Sequence, residues 1–130
     1  MLKLADVAVA VSDAKASAAW WQEKVGFSSI TLGQEEHPVM IAPPGDRFIL
    51  HRCEGFEPVD PGNTGIGFVT DTFDETIERM QAAGVDFPEP PEQGEGGSSA
   101  KFADPDGNIF WLIGMPGEVI EQMTGHYAPE

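Results

Sequence analysis

A chain of 130 residues, 41% hydrophobic and 22% charged, is long enough to bury one core and too apolar to stay disordered. Its 22 Asp and Glu stand against 7 Lys and Arg, a net charge of −15 that repels phosphate backbones and anionic lipid and so excludes nucleic acid and membrane surfaces as natural partners. The single cysteine, Cys53, excludes an internal disulfide and points to a reducing cytoplasm. The opening stretch is interrupted by Asp6 and does not read as a signal peptide, and no apolar run approaches the roughly 20 residues of a membrane span.

The first periodic segment is Leu4 to Val11, where Val7, Val9 and Val11 alternate with small or polar residues, the spacing of a strand. Ser12 and Asp13 offer N-cap oxygens to an alanine-rich helix over Ala14 to Lys24, which Gly26 stops. Three strands are expected next, at Phe27 to Leu32, Val39 to Ala42 and Arg47 to Cys53, with a hairpin turn at Pro43-Pro44-Gly45-Asp46. Glu54 to Asn63 is a polar connection rich in Gly and Pro. The pattern then restarts with a strand at Gly65 to Thr70. Thr72 and Glu75 have the spacing of a capping box, and the helix Phe73 to Ala83 carries Phe73, Ile77 and Met80 on one stripe before Gly84 stops it. Val85 to Phe87 reads as a strand, Pro88 to Gly97 as a flexible acidic rim, and Ser98 to Ala103 and Asn108 to Ile113 as strands joined by the turn Asp104-Pro105-Asp106-Gly107. In the tail 115–130 a short helix is expected at Val119 to Met123.

Strand, helix and three strands thus occur twice, with Val7, Val9 and Val11 standing where Ile66, Phe68 and Thr70 stand. The expected fold is α+β: one domain over 1–114 made of two βαβββ halves, about 3–54 and 64–114, whose mixed sheets curl around a cup-shaped cavity.

These segments resemble the vicinal oxygen chelate superfamily, which includes glyoxalase I, extradiol dioxygenases and bleomycin-resistance proteins. The resemblance is carried by Val7-Ala8-Val9 through Ser12-Asp13, by Trp20-Trp21 through Val25-Gly26-Phe27, by Gly65-Ile66-Gly67-Phe68, and above all by Phe102-Ala103-Asp104-Pro105-Asp106-Gly107-Asn108 before an apolar strand. It covers about residues 3 to 114. Metal enzymes of that family bind their ion from the cup interior. Carried over position by position, those ligands fall on Asp6, on a residue near Leu50 or His51, on Gly65 and on Trp111. Glycine has no donor and indole cannot ligate, whereas a divalent ion needs three or more protein donors. The resemblance therefore implies no metal and no cofactor here.

Asp6 either faces a polar cavity or caps the start of its strand in solvent. His51 and Arg52 point to opposite faces, so one of them faces inward. Trp111 is either a stacking residue or a plain core tryptophan, and one of Trp20 and Trp21 belongs to the core. No nucleophile constellation or phosphate-binding loop appears, so no catalytic residue is expected. The function implied is a metal-independent binding protein of the bleomycin-resistance type, sequestering a cationic or aromatic compound such as an antibiotic through Asp6, His51, Gly65 and Trp111. An enzyme of the same superfamily, a lyase, isomerase or dioxygenase with non-standard site residues, is the alternative, and a closed module with a tryptophan-filled interior is the third reading. The resemblance also implies a homodimer.

Overall fold

Alternating valines build the first strand: β1, Val7–Ala10, buries Val9 and exposes Ala8, and Val11 just beyond it is buried again. The computed structural model describes residues 2, 7–30, 40–43, 50–54, 62–94 and 97–125. Helix α1, Ala14–Trp20, starts at Asp13, whose Oδ1 accepts the Ala16 N–H at 3.0 Å. Glu54 Oε1 accepts the Ala14 N–H at 3.0 Å, so two of the orphan amides of the first turn have carboxylate partners. The helix continues as a π-helical turn, Trp21–Val25, and ends at Gly26 with φ of 85°, the left-handed stop that glycine supplies.

Strands β2, Ser28–Ile30, β3, Met40–Ala42, and β4, Leu50–Cys53, complete the first sheet in the order β1-β4-β3-β2. β1 and β4 run parallel while the other two pairs are antiparallel. A parallel return needs a crossover, and α1 with the β2–β3 hairpin provides it. The expected turn after Pro43, residues 44–46, lies outside the described residues.

The second half repeats the plan. β5, Asn63–Thr70, leads to α2, Phe73–Ala82, followed by β6, Glu92–Gly94, β7, Gly97–Ala103, and β8, Ile109–Gly114. The order is β5-β8-β7-β6, with β5 and β8 parallel and the other pairs antiparallel. The fold is therefore α+β with two curled, open mixed sheets. A third helix, α3, Gly117–Gly125, comes after β8. No helix among the described residues is long and apolar enough to cross a membrane.

The chain divides into two compact units, Met1–Gly62 with Asp104–Gly107, and Asn63–Ala103 with Asn108–Glu130. In the first, Val9, Val11, Ala18, Ile41, Leu50 and a fully buried Trp21 form the core, with Trp20 edge-on to Trp21 at 5.4 Å and Phe27 at 5.1 Å. The tip of the β7–β8 turn belongs to this unit, where Asp106 Oδ1 accepts the Ser12 N–H at 3.1 Å. The turn itself closes as expected: the Asp104 carbonyl accepts the Gly107 N–H, its Oδ1 accepts the Asp106 N–H, and Gly107 has φ of 85°. In the second unit Phe73, Ile77 and Met80 of α2 and Phe102, Phe110 and Leu112 of the sheet form the buried core, with Phe68 at 6.2 Å from both phenylalanine rings.

Three expectations come out differently. Thr72 is the N-cap of α2, but its hydroxyl bonds Thr70 Oγ1 and Thr76 Oγ1 instead of a first-turn amide, so no capping box forms. Val85–Phe87 is not a strand. Val85 donates back to the Met80 carbonyl, Asp86 makes an isolated bridge to Ala103, and Pro88 has no N–H to extend it. The segment read as a flexible rim holds β6, which pairs with β7 through Glu92–Ser99 and Gln93–Ser98, and Gln93 Nε2 donates to Asp74 Oδ1 at 2.9 Å.

Candidate functional site

The parity of β8 sorts its side chains onto two faces. Phe110 and Leu112 are buried toward α2, and a Cβ on Gly114 would come within 3.0 Å of Phe73, so even-numbered positions face the helix. Ile109, Trp111 and Ile113 occupy the opposite face, all half-buried. Trp111 pairs with Gly67 of β5 on one side and with Lys101 of β7 on the other. A Cβ on Gly67 would lie 3.7 Å from Trp111 Cβ and 3.2 Å from Ile113 Cδ1, which fixes Gly67 on the same face. Lys101 extends across the indole, its Nζ 4.9 Å from the ring centroid, and meets Glu89 Oε2 at 3.5 Å. A cation over an indole face is attracted by the ring quadrupole, so these neighbours hold each other in place.

Gly65 lies two residues before Gly67, at a break in register between Asn63 and Gly67. Its φ is 74°, a conformation that costs any residue with a Cβ. Thr64 pins the irregularity: its Oγ1 donates to the Ile109 carbonyl at 2.7 Å and accepts the Ile66 N–H at 3.1 Å. Above Gly65 a Cβ would meet nothing within 4 Å. The glycine at this position is thus a backbone requirement of the bulge, and it leaves the sheet surface open.

Of the four site residues expected from sequence, Gly65 and Trp111 lie on neighbouring strands of the second unit. His51 lies in β4 of the first unit, paired with Ala8 and Met40, and Asp6 is outside the described residues. Sequence reasoning missed Lys101. A signal for it existed, because a tight turn at Asp104–Gly107 sets residue 101 opposite residue 111. No group of three or more His, Cys, Asp or Glu comes together among the described residues, and the donors at positions 65 and 111 are absent by residue type, so these positions do not fit a metal centre of the kind carried over from sequence.

A shallow depression of about 260 Å³ lies where β5 and β8 meet the starts of α2 and α3, lined by Thr70, Asp71, Phe73, Ser98, Gly114 and Pro116 among others. It is open to solvent and has neither a stacking surface nor a paired charge. The Trp111 face has both.

Comparison with known proteins agrees with this geometry. The model of the glyoxalase/bleomycin resistance protein/dioxygenase superfamily matches residues 3–112. The protein YetH of Bacillus subtilis is 31% identical over 115 residues, covering 85% of this chain and 96% of that one. Among solved structures, a superfamily member from Sphaerobacter thermophilus aligns with a TM-score of 0.76 at 26% identity, over 88% of this chain and 98% of the other. TnmS3, an antibiotic binding protein from Streptomyces sp. CB03234, aligns with a TM-score of 0.73 at 29% identity, over 88% and 96%. With nearly its whole strand repeat matched, the chain belongs to the glyoxalase/bleomycin resistance protein/dioxygenase superfamily.

Proposed function

We propose that this protein is a metal-independent small-molecule binder that sequesters a flat aromatic compound, of the kind antibiotics present, against the sheet face bearing Trp111. The observation that carries this reading is the half-buried indole, set beside two glycines at positions 65 and 67 and turned away from the phenylalanine core. A half-buried indole offers a stacking surface for a ring, and stacking on an aromatic face is favourable whatever the compound's substituents. The antibiotic-binding role of TnmS3 supports the reading by likeness. The net charge of −15 favours cationic compounds in general, but on this face the Lys101 ammonium already covers part of the ring, which leaves the aromatic class as the better match. His51 and Asp6 are proposed as further ligand-binding residues. The single cysteine suits a reducing cytoplasm, and a homodimer is the proposed assembly.

Thermal unfolding with planar aromatic compounds tests it. A ligand at about 100 times its dissociation constant should add roughly 2.7 kcal/mol of stability, and Trp111→Ala should abolish most of that shift. A chelator should leave the shift unchanged. Stabilisation by a divalent metal alone, or aromatic binding untouched by Trp111→Ala, would sink the proposal.

A further inference from the structure

We infer that Lys101 is the specificity-determining residue of the Trp111 face, selecting planar aromatic compounds that carry an anionic group such as a carboxylate or an ionised phenol. The inference rests on the proposed aromatic-binding role and adds the chemistry of the substituent.

The described cationic side chains divide sharply. Lys15, Lys24 and Arg79 are exposed on helices, whereas Lys101 is half-buried on a sheet face beside Trp111. In a chain with 22 acidic residues, an anion approaching almost any surface is repelled. At the Trp111 face it meets an ammonium held over the indole instead. A cation stacking on the same ring meets like charge, so the residue discriminates in both directions.

The two partners of that ammonium are unequal. Trp111 holds it from a neighbouring strand, in a register set by the β7–β8 pairing. Glu89 holds it from a loop, and its side chain is 64% exposed against 30% for Lys101. An ion pair with one partner in water contributes little, so Glu89 can be displaced cheaply. A ligand carboxylate attached to a ring that is itself stacked on Trp111 is delivered to Lys101 without a separate ordering cost, and can replace Glu89 as the counter-ion. On β5, Gly65 leaves the sheet surface open, while Ile113 lies over Gly67.

The test compares 2-naphthoate with its neutral isostere 2-naphthamide, by calorimetric titration of the full chain. The wild type should bind the acid about tenfold more tightly, the order expected of one charge-assisted hydrogen bond. Lys101→Met should bring the acid down to the amide's affinity and leave the amide unchanged, and Lys101→Arg should restore the preference. Glu89→Gln should strengthen the acid several-fold by removing its competitor. Equal affinity for the two compounds in the wild type, or a preference that survives Lys101→Met, overturns this inference. If both compounds still bind and Trp111→Ala weakens both, the aromatic-binding role stands without it. If neither compound binds, both the role and the inference fall.

Discussion

The two halves share one strand order, but among the described residues their large core aromatics come from opposite layers. In the first, the large aromatics come from the helix and its end: Trp21 is fully buried after α1, between Trp20 and Phe27, over small residues such as Ala14, Ser17 and Ala18. In the second, α2 contributes Phe73, Ile77 and Met80, and the sheet supplies the rings Phe68, Phe102 and Phe110. The same βαβββ scaffold therefore tolerates either layer as the source of bulk, provided the volume between helix and sheet is filled. In the second half this arrangement puts one large aromatic, Trp111, on the face away from the helix. With three phenylalanines filling the helix side of its sheet, the indole of Trp111 on the other side is not needed for packing against α2.

Truncating the main ring of each core tests this equivalence with the largest expected effects. Trp21→Ala and Phe110→Ala should each cost about 3–5 kcal/mol in urea unfolding, since both remove a fully buried aromatic from a dense core. A loss below roughly 1 kcal/mol for either would mean that its half relaxes around the void and that the two cores are not equivalent. Trp111→Ala should cost clearly less than Phe110→Ala, because the indole is half-buried and faces away from α2.

How much of this was legible in the sequence depended on whether a side chain announced its environment. The valine alternation of β1, the Phe73–Ile77–Met80 stripe and the glycine stops at 26 and 84 all encode burial or positive φ in residue type, and each lies where expected. β6 was not legible because Glu92, Gln93 and Gly94 are all exposed. Its strand character comes from backbone pairing with β7, which leaves no periodic trace. Val85–Phe87 misled in the opposite way, since Val85 is buried just past the end of α2, with its N–H given to the Met80 carbonyl and not to a strand. Within the site, Gly65 and Trp111 were found through family positions, while Lys101 depends on cross-strand register, a property of the turn rather than of the lysine.

The bulge gives the next contrast, between two glycines on one strand. Gly65→Ala should destabilise by about 1–2 kcal/mol because its φ of 74° is strained for any residue with a Cβ. Gly67→Ala should be nearly neutral, because the new methyl meets the flexible end of Ile113 at 3.2 Å and Trp111 Cβ at an ordinary 3.7 Å. Equal losses at both positions would show that the bulge is not held by backbone conformation. The two helix starts differ by less. Asp13→Ala should cost about 1 kcal/mol, since Asp13 caps Ala16. Thr72→Ala should cost no more than about half of that, because the hydroxyl of Thr72 caps no amide.

The smallest effect on stability is expected at Lys101. Its ion pair with Glu89 is made to a largely exposed carboxylate, and pairs of that kind are worth at most a few tenths of a kcal/mol to about 1. Methionine keeps an unbranched stem of similar length over the indole and adds a sulfur contact with the ring, so Lys101→Met should hold stability within about 0.5 kcal/mol of the wild type. That near-neutrality makes the position informative. A core residue changed for the worse loses stability and binding together, and the two cannot be separated. A residue kept for recognition loses one without the other. If Lys101→Met instead unfolds at much lower urea, the lysine is part of the packing of β7 on β8, and the asymmetry between the halves is one of architecture alone.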